Sequence, residues 1–169
     1  MDTVQHLRLA RVKMQQVPRE WHQPIPPKER LLNDYLNLIN SISELMMLSQ
    51  AVVNNLNQTA MTARNLMVEQ YALAYGQFLI ISLRQQWTHL MVLDEEDLAK
   101  LSRFPQQRLA HQFMGIHTML LNSYHQKRQS DFAHAWRSFL KLGLFELKLS
   151  EADLQNALEN ILALDSSEF

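Results

Sequence analysis

Hydrophobic residues recur along this chain with the spacing of amphipathic helices. Over residues 28–57, three apolar rows with a seven-residue repeat run side by side. The first row consists of Leu32, Ile39, Met46 and Val53. Three rows out of seven make a stripe wider than a two-stranded coiled-coil seam, which is the width that a bundle helix needs. The polar stretch NNLNQTA then predicts a turn near residues 55–58 and Thr59 as the N-cap of the next helix.

The most apolar stretch is YALAYGQFLIISLRQQW at positions 71–87, inside a second predicted helix over about residues 59–92. Its apolar run of about 13 residues, Tyr71 to Leu83, is shorter than the roughly 20 residues that cross a bilayer. A helix that is apolar on nearly every face is normally buried in protein, so we expect a central helix enclosed by others. Gly76, at its middle, predicts a close helix crossing that offsets its low helix propensity.

Shorter helices are predicted in the second half of the chain. They cover Asp94 to Ser102, about 105–127 with Pro105 in the first turn, about 130–148, and a last helix for which Ser150 is the N-cap. Only 3 glycines and 5 prolines punctuate the chain, which favours few, long elements, and no stretch is typical of a strand. We therefore predict an all-α protein, a six- to seven-helix orthogonal or up-down bundle around one long buried central helix.

The N-terminal region has a different pattern. Four of the five prolines fall within Val17–Pro27, which predicts an extended linker. Residues 2–16 before it form a short, basic amphipathic helix that is marginal on its own. We divide the chain into an amphipathic arm with its Pro-rich linker (1–27) and a single bundle domain (28–169). The arm docks either on the body of the protein or on a partner.

Composition narrows the range of functions. The chain has no cysteine, which excludes disulfides and zinc–thiolate sites, and its formal net charge is −1. The basic arm lacks the charge density of a nucleic-acid-binding segment, so nucleic acid is not an expected partner. The first residues contain no continuous apolar core of signal-peptide length, and no transmembrane segment is predicted. We expect a cytoplasmic protein.

The sequence lacks the residue spacings of the common metal-binding and catalytic motifs. No two of its seven histidines have the i, i+3 or i, i+4 spacing with which a helix binds a metal ion. Its three glycines are isolated, so there is no glycine-rich phosphate loop, and there is no serine nucleophile elbow. We expect no catalytic residue, no metal, no cofactor and no enzymatic activity.

Aromatic residues are concentrated in the predicted helix over residues 130–148. One face combines several of them with Gly143, and Phe145 belongs to another face. Such a helix either packs in the middle of the bundle or offers one face to a partner, where Trp and Phe are efficient anchors. The expected partner-binding residues are Trp21, Phe132, Trp136, Phe139 and Phe145. The partner is another protein or a second copy of the chain.

These features favour a non-enzymatic protein-binding module with an apolar helical groove, such as a bacterial adaptor, a transcription or secretion regulator, or a chaperone-like protein, with a homodimer as one form. The nine methionines either fill the core, as we expect, or make such a groove adaptable. An amphipathic coat protein of lipid or polymer granules is an alternative. An α-helical small-ligand sensor is another, with a pocket beside Phe113, His117 and Leu120. The competing interpretation of His117 is a hydrogen-bonded boundary histidine.

Overall fold

A computed structural model describes residues 2–20, 25–52 and 64–163, and within these ranges it contains helices and no strand. The helices are α1 (Thr3–Glu20), α2 (Pro27–Leu48), α3 (Arg64–Gln85), α4 (Glu95–Arg103), α5 (Leu109–Gln126), α6 (Gln129–Lys141) and α7 (Glu151–Leu162). A 3₁₀ turn, Thr88–Leu90, follows α3, and a π-helical segment, Leu142–Glu146, continues α6. The predicted fold class, an all-α helical bundle, is confirmed.

Helix α3 has more buried residues than any other described helix. Helices α1, α2 and α7 pack directly against its backbone, and aromatic side chains of α6 cover another face. Tyr71, Tyr75 and Phe78 have no exposed surface. By length and composition α3 could cross a membrane, but 61% of its most apolar window is buried inside the protein, as in the core helix of a soluble protein.

Ring contacts join α3 to α6. The Phe78 ring centroid lies 5.6, 5.3 and 5.0 Å from those of Phe132, Trp136 and Phe139. The Tyr71 ring is stacked on Phe139 at 4.2 Å, and its hydroxyl donates a hydrogen bond of 3.1 Å to the Phe139 carbonyl. Large rings hold the two helix backbones apart while filling the space between them, so this contact is made by side chains.

Several helix ends differ from the sequence prediction. Helix α2 ends at Leu48 instead of residue 57, and Gln50 follows with a φ of 56°. Helix α3 ends at Gln85, before Gln86 with a φ of 61°. These left-handed residues stop both helices without glycine, which normally marks such positions. The predicted turn at 55–58 and the Thr59 cap lie outside the described residues.

In the second half of the chain, one predicted helix end is confirmed and others differ from the prediction. Helix α5 begins at Leu109, so Pro105 lies before the helix and not in its first turn. The predicted cap at Ser150 is confirmed, since its hydroxyl accepts a 3.1 Å hydrogen bond from the Asp153 amide. The predicted helix over 130–148 is divided into α6 and the π-helical segment.

Helix α1 is longer than predicted and packs on the body of the protein. It continues through Pro18 to Glu20, so the expected extended linker is wrong for residues 17–20. A proline in the last turn removes one backbone hydrogen bond and is compatible with a helix that other contacts hold. Helix α1 contacts α3 and α7, with His6 and Ala10 fully buried. Whether residues 1–27 behave as a separate arm remains a prediction.

The close approach of two elements occurs at a different glycine from the one expected. A Cβ atom at Gly76 would have nothing within 4 Å, so the predicted helix crossing there is wrong. At Gly143, in the π-helical segment, an added Cβ atom would overlap the ring of Tyr71. Because Tyr71 is held between this segment and Phe139, its ring has no room to move away.

We therefore predict that adding one methyl group has opposite effects on stability at Gly76 and at Gly143. Gly143→Ala lowers the free energy of unfolding by about 1–3 kcal/mol through overpacking against Tyr71. Gly76→Ala raises it by about 1 kcal/mol, because alanine has the higher helix propensity and meets no neighbour. Urea denaturation followed by far-UV circular dichroism measures both. Equal effects of the two substitutions would contradict the packing described here.

Candidate functional site

Most of the predicted partner-binding residues lie in the core. Phe132, Trp136 and Phe139 have no exposed surface, and the indole Nε1 of Trp136 donates a 3.0 Å hydrogen bond to the Met91 carbonyl. A side chain with no accessible surface cannot anchor a partner, so the expectation fails for these three residues in the folded protein. Phe145 is 37% exposed and is still available. Trp21 lies outside the described residues.

The structure places the three residues expected to line a ligand pocket, Phe113, His117 and Leu120, against other parts of the bundle. Phe113 and Leu120 are fully buried in the core. His117 donates from Nδ1 to the Phe113 carbonyl at 2.7 Å, and its Nε2 lies 3.1 Å from the Ser43 hydroxyl oxygen. Both ring nitrogens are therefore engaged between α5 and α2, which is the hydrogen-bonded boundary histidine of the competing interpretation. Helix α5 lines a cleft on its opposite side, where it faces α4 and α6.

An exposed apolar surface surrounds the contact between His117 and Ser43. On α2, Leu36 lies seven residues before Ser43 and Met47 four after it, so these side chains share a helix face. The same spacing argument places Met114 and Leu121 on the His117 side of α5. We call this surface the α2–α5 seam. It comprises Leu32, Leu36, Met47, Met114 and Leu121, all of them exposed large hydrophobic residues.

The five residues of the α2–α5 seam and the whole of α5 carry no formal charge, and the exposed Glu44 of α2 lies at the border of the seam, three positions before Met47. Helix α5, LAHQFMGIHTMLLNSYHQ, contains no Asp, Glu, Lys or Arg in its 18 residues. Yet Met114 is 68% exposed, the most exposed of the large hydrophobic residues described. A surface helix normally has charged residues on its solvent face. In the sequence this feature is an 18-residue stretch without Asp, Glu, Lys or Arg. The periodicity of apolar residues did not reveal it, because periodicity takes only the hydrophobic positions into account.

Three polar side chains beside the seam already have partners within the protein. Besides His117 and Ser43, the Thr118 hydroxyl donates a 2.9 Å hydrogen bond to the Met114 carbonyl. Covering the seam would therefore leave few polar groups without a hydrogen bond. This lowers the desolvation cost of contact with another apolar surface.

The buried carboxylate and the buried ammonium group among the described residues, Asp34 and Lys141, are each paired with an opposite charge. Asp34 of α2 accepts a hydrogen bond from Arg84 at the end of α3. Burial raises the pKa of Asp34, and the hydrogen bond and charge of Arg84 oppose that rise. Lys141 of α6 lies 3.4 Å from a Glu146 carboxylate oxygen. These pairs join successive elements of the fold, which is a structural role.

His6 joins α1 to the body of the protein. Its Nε2 lies 3.0 Å from Gln155 Oε1 of α7, and its Nδ1 lies 3.2 Å from the Tyr75 hydroxyl of α3. With its proton on Nε2, a neutral ring donates to the amide oxygen and leaves Nδ1 as an acceptor beside the Tyr75 hydroxyl, which is also hydrogen-bonded to the Thr3 hydroxyl at 3.3 Å. Burial lowers the pKa of His6 below its ordinary 6.5, against the opposing effects of Gln155, Asp2 and Glu159.

The site and the fold together define a class of protein, an all-α helical bundle with an uncharged apolar seam. Within the described residues no group of three or more His, Asp or Glu side chains is placed to hold a metal ion. Comparisons with protein families, with curated proteins and with solved structures find no match to this chain.

The environment of His6 predicts a pH dependence of stability. Because its pKa is lower in the folded protein than in the unfolded chain, the unfolded chain takes up the proton first as the pH falls. The contribution of neutral His6 is therefore complete above about pH 6.5 and is lost as the pH falls from there through the folded-state pKa. Guanidinium denaturation at pH 7.5 and 5.5 should show a larger loss of stability for the wild-type chain than for His6→Gln.

The matched control is His125→Gln, which removes an exposed histidine at the end of α5. Its pH dependence should equal that of the wild-type chain. A His6→Gln variant that loses as much stability on acidification as the wild type would show that His6 is not the responsible group.

Proposed function

We propose that this chain is a non-enzymatic protein-binding module whose docking surface is the α2–α5 seam, and that the seam takes the equivalent seam of a second copy. In the cell the resulting homodimer acts as a bacterial cytoplasmic adaptor, a transcription or secretion regulator, or a chaperone-like protein. The observation that carries the proposal is the exposure of Met114 and Leu121 on a helix without any charged residue.

The apolar content of the seam supports a protein partner. Its exposed side chains are Leu and Met, which gain free energy on burial in proportion to the area removed from water. Leu36 and Met47 are eleven positions apart, or about 16 Å along α2. That length of contact corresponds to three turns of helix, as in helix-to-groove recognition.

The absence of charge supports a second copy as the partner. Two copies of a charged patch repel each other, whereas the apolar residues of the seam and α5 provide no formal charge, and the one carboxylate of α2 beside them, Glu44, lies at the border. Equally, the seam has no charged group with which to select a charged partner. Self-association through one patch is the isologous arrangement of most homodimers.

The geometry of α2 and α5 suits a two-fold arrangement. Tyr35 hydrogen bonds to Ser123 at 2.7 Å, and Ser43 contacts His117 further along, so residue numbers rise on α2 as they fall on α5. The two helices are therefore antiparallel neighbours. Two such pairs related by a two-fold axis form a four-helix packing in which the apolar side chains of all four helices face one another.

The test is the mass of the protein in solution. Size-exclusion chromatography with light scattering should give a dimer for the wild-type chain. Leu36→Glu and Met114→Glu each place a carboxylate in the dimer interface, and we expect each to weaken dimerisation about a hundredfold, or ~2.7 kcal/mol. Both side chains are more than half exposed, so the fold of each variant should be retained.

Leu66→Glu on α3 is the matched control, since Leu66 is 48% exposed and is not part of the seam. It should dimerise like the wild type. A monomeric wild-type chain, or a dimer that persists in both seam variants, would overturn the proposal. A wild-type monomer that instead gains helicity and binds when mixed with lipid or polymer particles would favour the granule-coat alternative.

A further inference from the structure

A cleft of about 450 Å³ lies between α4, α5 and α6, on the flank of α5 opposite the α2–α5 seam. Pockets for small molecules in proteins have volumes of about 300–1,000 Å³. The connection between α4 and α5 closes one end of the cleft. It is held there by Lys141, whose Nζ donates a 3.0 Å hydrogen bond to the Pro105 carbonyl.

The walls of the cleft are mostly apolar. Leu101 of α4 and Met119 of α5 line its interior, and Phe104 contributes a ring that is 57% exposed. Gly115 also lines the cleft, and a Cβ atom at this position would meet nothing within 4 Å. The space beside Gly115 is therefore open to an apolar group of a ligand.

The ionisable side chains that line the cleft are all of basic residue types. Arg137, Lys141, His111 and His134 line it, and no Asp or Glu does. Lys141 is buried and paired with Glu146, which lies outside the lining. Arg137 is exposed and forms no hydrogen bond or ion pair with any described residue. In a chain with a net charge of −1, this arrangement concentrates positive charge at one apolar opening.

We propose that the cleft binds a small amphiphilic carboxylate, such as a medium-chain fatty acid or an aromatic acid. The apolar body of the ligand lies against Leu101 and Met119 in the space beside Gly115. Its carboxylate pairs with the Arg137 guanidinium, which offers two parallel N–H donors to the two carboxylate oxygens. This site is independent of the α2–α5 seam and of its occupant.

Isothermal titration calorimetry with decanoate, below the concentration at which it forms micelles, tests the site. The wild-type chain should bind decanoate with one-site stoichiometry. Arg137→Gln should weaken binding at least about tenfold, because it removes the ion pair while keeping most of the side chain. Gly115→Leu should abolish binding by filling the cleft, and its higher helix propensity preserves the fold. Circular dichroism verifies that each variant melts like the wild type or later.

Two controls separate charge from apolar affinity. Arg11→Gln removes one arginine from α1, which packs on α3 and α7 away from the cleft, and should bind like the wild type. Decanol has the same chain without the charge and should bind at least about tenfold more weakly, and decyltrimethylammonium should not bind. The inference is overturned if the wild type does not bind decanoate, if Gly115→Leu binds it normally, or if decanoate and decanol bind equally well to the wild type and to Arg137→Gln.

Discussion

The aromatic contact between α3 and α6 is the constraint on which the other features depend. Phe78 and Tyr71 of α3 meet Phe139 of α6 at ring distances of 5.0 and 4.2 Å, and all three side chains are fully buried. Rings packed in this way contribute about 0.5–1.5 kcal/mol per pair beyond the area they bury. The contact also requires Gly143, because the Tyr71 ring occupies the position of a side chain there. Once α6 has turned its aromatic face inward, that face is no longer available to a partner.

The orientation of α6 leaves α5 with two exposed flanks of different character. One flank meets α2 and presents the uncharged α2–α5 seam around His117 and Ser43. The other meets α4 and α6 across the cleft with Arg137 and Lys141 at its border. The first flank is suited to an apolar protein surface and the second to a small anion with an apolar body. Because α5 contains no Asp, Glu, Lys or Arg, the formal positive charge of the cleft comes from Arg137 and Lys141 of α6.

Polar contacts hold the outer helices to this core. His6 connects α1 to Tyr75 and Gln155, and Arg84 connects the end of α3 to Asp34 of α2. Each contact joins residues far apart in sequence, so its loss would release one element while the aromatic core remained. The pKa of His6 is lowered by burial, so the attachment of α1 is expected to weaken on acidification.

Local patterns in the sequence determined the helical class of the protein and much of its core. The spacing of apolar residues predicted α2 and α3, and the all-round apolar character of residues 71–83 indicated a buried helix. The Ser150 cap was likewise readable, because a cap is made by residues three positions apart. The ends of α2 and α3 were not readable, since Gln50 and Gln86 adopt the left-handed conformation that glycine would have signalled.

Only the tertiary structure decided which apolar faces are covered. Two faces of the 130–148 region were apolar in the sequence, and packing against α3 buried Phe132, Trp136 and Phe139. Conversely, Met114 and Leu121 resemble core residues in the sequence, yet they remain exposed because no described helix lies over them. Whether a side chain is buried depends on which element lies opposite it, and that element can be seventy residues away. Periodicity, which compares a residue with its neighbours along the chain, carries no information about it.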